Sequence, residues 1–263
     1  MVQEHQTIPV KIRLHQFLSR TGVFSSKRDV KDAIWSGEIT VGGSVVKDIS
    51  FQFNANTKAV EWKGEALRLP GLHHTFVLNK PSGFICSRLN KQERALGKRS
   101  VFSVVRELVG DSIFDRLLTV GRLDEQTTGL LLMTTDGHLV HDIASPETHV
   151  EKTYAVHLDR ELQSEDMHLL SKGVIIELEV DGVSTAYTTS PADVSVNDDG
   201  LVYISISEGK KRQIRRMFAA LDYTVEGLHR VSIGGLNLGM FGLKNGEAVE
   251  IEETLLRQLV FDQ

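Results

Sequence analysis

The order of apolar and polar positions divides the chain into segments of distinct kinds. Leu14, Phe17 and Leu18 recur at i, i+3 and i+4 and predict a short amphipathic helix ending near Gly22. Ser26-Lys27-Arg28-Asp29 has the form of a capping box ahead of Val30, Ala33, Ile34 and Trp35, with Gly37 as terminator. Ile39-Thr40-Val41, Gly42-Gly43 and Val45-Val46 then read as a β-hairpin. Residues 11–53 are thus expected to form a compact αα-β module. Residues 54–72 are polar and turn-rich, and Pro70-Gly71 marks the expected linker. The expected domains are 1–69 and 70–263.

The second domain opens on an apolar run, Phe76-Val77-Leu78, that Pro81 stops. Residues 88–99 are charged and read as a mobile loop, and 100–109 as a helix. Residues 130–133 are continuously apolar, as in a strand buried on both faces, and Asp136-Gly137 gives a turn. A helix over 138–144, a strand over 151–156 and strand-rich sequence over 194–207 follow. Ile214, Met217, Phe218 and Leu221 fall on one helical face, with Arg212, Arg215 and Arg216 opposite. No internal repeat or low-complexity tract interrupts this order.

Composition narrows the chemistry. The 263 residues suffice for one large and one small domain. One cysteine, Cys86, excludes an internal disulfide and a thiolate metal cluster. Ten histidines include no HExxH spacing, so neither a metal nor another cofactor is expected. The start, MVQEHQTIPVK, lacks a signal-peptide core, and no apolar run approaches membrane-spanning length. A cytoplasmic monomer without membrane contact is expected. The net charge of −5 conceals an asymmetry: residues 1–69 hold ten Lys/Arg against seven Asp/Glu, the rest 20 against 28. Local basic faces, not overall charge, would have to carry any nucleic-acid contact.

The densest chemistry lies in 120–137, VGRLDEQTTGLLLMTTDG. It holds an isolated acid, Asp124, on a polar turn at the edge of the buried run, flanked by Gly121 and Gly129. This window resembles the active-site motif of the pseudouridine synthases, G-R-L-D-x-x-T-x-G-L-L-L-x-T-x-D-G. The best match is the subfamily typified by the ribosomal small-subunit synthase A. The opening Leu78-Asn79-Lys80-Pro81, then Glu151-Lys152-Thr153-Tyr154, Glu208–Phe218, Gly227–Leu236 and Phe241–Glu247 carry further family-like motifs. Residues Arg13-Leu14, Phe17–Arg20, Gly22, Ser25–Arg28 and Gly37–Gly43 resemble an S-four RNA-binding domain. His15-Gln16 and Gly42 depart from that pattern.

The resemblance implies an α+β fold: a small N-terminal αα-β S-four-like domain, then a pseudouridine-synthase catalytic domain with a mixed, mainly antiparallel sheet and flanking helices. It implies that Asp124 is the catalytic carboxylate, acting as nucleophile at C1′ or as base at C2′. Tyr154 would stack on the target base, and Arg215 would pair with Asp124 and keep it ionised. Tyr154 is also a candidate for assisting removal of the C5 proton. Leu228 would line the pocket, while Arg122, Lys152, Arg212 and Arg216 would bind substrate. Arg13, Arg20, Lys27, Arg28 and Lys31 would face phosphates. The partner is rRNA, expected within a partly assembled small ribosomal subunit, where one uridine of 16S rRNA would be flipped out and isomerised. Large-subunit rRNA as target, a non-catalytic RNA-binding assembly factor, and a nucleoside hydrolase are the alternatives. The last needs a second carboxylate or a metal to activate water, and neither stands out.

Overall fold

In the computed structural model, which describes residues 11–55, 57–69, 73–180 and 182–261, the chain divides into two units. One takes in the residues up to His74 together with Asp136–His138, the other Thr75–Thr135 and the residues from Leu139 on.

The small unit begins with the helix Leu14–Arg20, which buries Leu14, Phe17 and Leu18. Ser26 Oγ accepts the Asp29 amide at 3.2 Å and caps the helix Lys27–Ser36. Such a cap contributes about 1 kcal/mol by satisfying an amide that has no partner inside the helix. Gly37 ends that helix at φ 81°, which costs glycine little. The strand Ile39–Val41 pairs with Ser44–Val45, one residue earlier than the alternation suggested.

Residues 57–69, within the stretch expected to be polar and turn-rich, contain two strands. Val60–Trp62 pairs with Ile39–Val41 and with Glu65–Leu67, so the hairpin grows into a four-stranded sheet. Val60 and Leu67 join the core of Leu14, Phe17, Val30 and Ile34. Each strand has only three residues, too few for alternation to be distinguished from turn sequence. Pro70-Gly71, the expected linker, lies outside the described residues.

The large unit is built on a nine-stranded sheet. Its strands are β1 (Thr75–Lys80), β2 (Leu118–Val120), β3 (Thr128–Thr134), β4 (Lys152–Leu158), β5 (Asp193–Val196), β6 (Val202–Ile206), β7 (Val225–Ile233), β8 (Leu236–Asn237) and β9 (Ala248–Ile251). The order is β5-β6-β4-β7-β3-β1-β9, with β2 beside β3 and β8 beside β7. Only β3–β7 is parallel, so the sheet is mixed and mainly antiparallel.

β3 is continuously apolar over residues 130–133 because both of its faces are covered there. Leu131 and Met133 join one core, with Ile214, Met217 and Phe218 of the helix Gln213–Ala219. Leu130 and Leu132 join another, with Ile143, Leu256 and Val260 of the helices Gly137–Ala144 and Glu253–Phe261. No helix among the described residues is long and apolar enough to cross a membrane.

Two local readings are corrected. Residues 88–99 contain the helix Lys91–Ala95, closed by a reciprocal Asn90–Glu93 capping box. The Arg88 guanidinium lies over the rings of Phe102 and Phe114, 4.4 and 4.8 Å from their centroids. The single helix expected over 100–109 is shorter, Phe102–Val105, and Asp111–Phe114 forms a second one. The helix Ser164–Lys172 and the hairpin Ile175–Val180/Val183–Thr188 had no counterpart in the sequence reading.

Candidate active site

β2 and β7 both lie on the same side of β3, at its opposite ends. Val120 pairs with Leu132, while Thr128 and Gly129 pair with His229 and Arg230. The loop from Gly121 to Thr127 joins β2 to β3 and carries Asp124. Gly129 permits the strand approach. Its φ is +99°, and a Cβ there would lie 2.3 Å from the Arg230 carbonyl oxygen.

The loop is held from one side by residues 80–86. Lys80, fully buried, donates from Nζ to the carbonyls of Pro81 (3.1 Å), Glu125 (3.1 Å) and Thr127 (2.8 Å). Burial pushes its pKa down, which the nearby Cys86, Glu125 and Asp124 oppose. The Gly83 amide adds a second donor to the Glu125 carbonyl at 2.8 Å. The buried Cys86 thiol donates to the Leu123 carbonyl and accepts the Leu123 amide, both at 3.3 Å. Its pKa is raised by burial, which favours the neutral thiol this geometry needs. Lys98 Nζ pairs with the Glu125 carboxylate at 2.6 Å. Asp124 itself is exposed, and its carbonyl accepts the Thr127 amide at 3.1 Å. A solvent-facing carboxylate therefore stands on a turn whose neighbours on both sides are anchored.

Arg215, half-buried, donates from Nη1 to the Val225 carbonyl at 2.7 Å. Burial and the neighbouring Arg212 lower its pKa, and the field of Asp124 acts in the opposite direction. The two side chains thus share one electrostatic environment, yet the described residues form no direct Asp124–Arg215 ion pair. Arg216 donates to the Glu177 carbonyl. The expected uniform arginine face is therefore divided: Arg212 is exposed at the helix N-cap, at φ 54°, and the other two are anchored to backbone. Each anchored guanidinium retains further N–H donors. The loop before this helix is tied by buried Gln213, whose Nε2 donates to Glu208 at 2.6 Å and whose Oε1 accepts the Lys210 amide at 2.8 Å.

Tyr154 on β4 is 9 % exposed and sits opposite Arg230 of β7, beside a register shift between Thr153 and Tyr154. Leu228, also buried, lies opposite Val156. Lys152 donates to the Val150 carbonyl at 2.6 Å, and its pKa is lowered to about 8, first by burial and then by Arg230. Arg122 is exposed beside Asp124. In the small unit, Arg13, Arg20, Lys27, Arg28 and Lys31 are all exposed, with Arg28 3.7 Å from Asp32. Among the described residues no cluster of three His, Cys, Asp or Glu side chains is placed to hold a metal ion.

Three site neighbours escaped the sequence reading as individual residues. They are Lys80, Cys86 and Arg230, the last buried, with Nε donating to the Leu130 carbonyl at 2.7 Å. Lys80 and Arg230 fall inside family-like motifs, but nothing in a linear pattern shows that a lysine is buried.

The large unit thus presents the Asp124 carboxylate on an anchored turn beside a mixed sheet, and comparison with known proteins supplies the class. Residues 74–220 match the RNA pseudouridylate synthase family model, and residues 12–57 match the S4 domain. The chain belongs to the RNA pseudouridylate synthase family, and so is an isomerase. A Vibrio cholerae protein named ribosomal small subunit pseudouridine synthase A is 34% identical over 86% of this chain and 90% of its own. A Bacillus subtilis protein named as an uncharacterized RNA pseudouridine synthase, YtzG, is 32% identical over 94% of this chain and 98% of its own. A crystal structure described as a pseudouridylate synthase aligns with a TM-score of 0.61 and 31% identity, covering 95% of this chain and all of that one.

Proposed function

We propose that this synthase isomerises one uridine of small-subunit (16S) rRNA, with Asp124 as the catalytic carboxylate. The observation that carries the reading is the exposed Asp124 carboxylate between anchored neighbours: the Leu123 peptide on Cys86 and the Glu125 and Thr127 carbonyls on Lys80. Preorganisation of this kind lets a charged group meet the reacting ribose without reorganising at the moment of reaction.

The reaction breaks the C1′–N1 bond, turns the freed base and joins C1′ to C5, with the C5 proton lost and N1 protonated. The target uridine is flipped out at a cost of a few kcal/mol, part of which stacking on Tyr154 offsets by roughly 1–3 kcal/mol. Leu228 lines the base pocket. Asp124 acts on the ribose, at C1′ as nucleophile or at C2′ as base. Arg215 fixes the field around that carboxylate, while Arg122, Lys152, Arg212 and Arg216 hold the displaced backbone. The 1–69 domain adds phosphate contacts through Arg13, Arg20, Lys27, Arg28 and Lys31, and 70–263 performs the chemistry.

The small-subunit target is supported by the name of the Vibrio cholerae relative and by 86% coverage of this chain. We place the enzyme in the cytoplasm, as a monomer acting on a partly assembled particle. The test is to offer the purified enzyme both rRNAs, free and with bound ribosomal proteins, and to map new pseudouridines. One new site in 16S rRNA is expected. Modification confined to large-subunit rRNA would overturn the target and leave the chemistry standing.

A further inference from the structure

The helix Lys27–Ser36 separates two surfaces of opposite charge. At about 100° per residue, Asp29, Asp32, Ala33 and Ser36 share one flank, and Lys27 and Lys31 lie on the other. The first flank walls a groove of about 430 Å³. Phe24 and Trp62 give the groove an aromatic side, their centroids 4.9 Å apart and their planes tilted by 51°. Its charged lining is Asp29, Asp32 and Glu38, with no Lys or Arg among the described residues.

The protein itself shows how a cation sits against this lining. Lys63 Nζ stands 3.5 Å from Glu38 Oε1 and 5.0 Å from the Trp62 centroid. Ammonium against carboxylate and over an indole face is the arrangement that recognises basic side chains. Glu38 is held in place because its other oxygen accepts Trp62 Nε1 at 2.8 Å. Asp29, whose carboxylate has no partner among the described residues, leaves a second position for a cation. Arg28 stands 3.7 Å from Asp32 and Lys63 covers Glu38, so the groove keeps its net negative charge through Asp29, which disfavours a polyanion. Charge complementarity selects a basic polypeptide instead.

We propose that this groove docks a Lys/Arg-rich segment of a protein, with the basic flank of the same helix left free for RNA. Such a partner chemistry suits a protein that itself lies on RNA. The proposal is independent of the catalytic assignment.

The test uses the full chain carrying Trp35→Phe, a change at an exposed side chain, which leaves Trp62 as the remaining tryptophan of two. A short synthetic peptide alternating Arg and Ser is titrated while Trp62 fluorescence is followed, with a Glu/Ser peptide as counterpart. The basic peptide should change the Trp62 signal and the acidic one should not. Asp29→Asn with Asp32→Asn should weaken binding about tenfold, and Lys63→Ala should tighten it about threefold by removing the internal competitor. Asp198→Asn with Asp199→Asn, an equal charge change at exposed positions of the other unit, should leave it unchanged. Thermal melts confirm that each variant is folded. Absence of a Trp62 response, or equal weakening by both pairs, would overturn the proposal. So would a response produced by an RNA oligonucleotide or by self-association of the chain in place of the peptide.

Discussion

The helices Lys27–Ser36 and Gln213–Ala219 hold their basic side chains in different ways. On Lys27–Ser36 the lysines at 27 and 31 are exposed and form no hydrogen bond or ion pair among the described residues. On Gln213–Ala219 the arginines at 215 and 216 are half-buried and each donates to a backbone carbonyl of its own unit. Free charges act at long range and are screened by salt. An anchored guanidinium in a partly dehydrated place has its geometry set beforehand and is worth more to a transition state. Under the proposed function, the first helix gathers RNA and the second fixes the reacting part of it.

The largest effect expected from this contrast is on Arg215. Arg215→Gln should lower kcat by about 10²–10³-fold and leave KM within about threefold, measured by tritium release from C5-labelled uridine. A rise in KM with kcat intact would place Arg215 with the gathering charges. Lys80 is a third kind of cation, fully buried and satisfied by three carbonyls. Lys80→Met should destabilise the large unit by about 2 kcal/mol in urea unfolding, because it removes the donor to the buried Thr127 carbonyl. A neutral result would mean the loop does not depend on that lysine.

Smaller effects belong to the gathering side. Lys27→Gln with Lys31→Gln should weaken RNA binding by about tenfold and flatten the log–log salt slope by roughly 1.4, about 0.7 for each phosphate that a lysine no longer neutralises. The rate at saturating RNA should not move. An unchanged slope would remove these lysines from the interface. The smallest effect is at Lys152, whose pKa near 8 means that it is charged below that value and neutral above it. RNA affinity should fall about threefold as pH rises through about 8, and Lys152→Arg should abolish that fall. A wild-type affinity that is flat across this range would exclude Lys152 as a phosphate ligand.

What the sequence made legible follows from how local each signal was. β3 and the Asp124 loop were readable because the buried run, the turn and the flanking glycines occupy one continuous window. The helix Lys27–Ser36 announced its own start and stop through Ser26 and Gly37. The Val60–Leu67 hairpin was missed because three-residue strands with Glu61 and Glu65 look like turn sequence. The anchoring of the Asp124 loop is invisible in the sequence for another reason. Cys86 meets Leu123 across 37 positions and Lys80 meets Thr127 across 47, so these contacts exist only once the sheet has formed. The backbone anchor of Arg216 is invisible in the sequence for the same reason, since its acceptor lies 39 positions upstream.

The proposed chemistry depends most heavily on one carboxylate, Asp124. The direct measurement is single-turnover tritium release by Asp124→Asn on an rRNA transcript that the wild-type enzyme modifies, with binding followed in parallel. The account predicts RNA affinity within about threefold of wild type and a rate lower by at least about 10³-fold, because the amide supplies neither nucleophile nor base. A rate within about tenfold of wild type at equal affinity would contradict it.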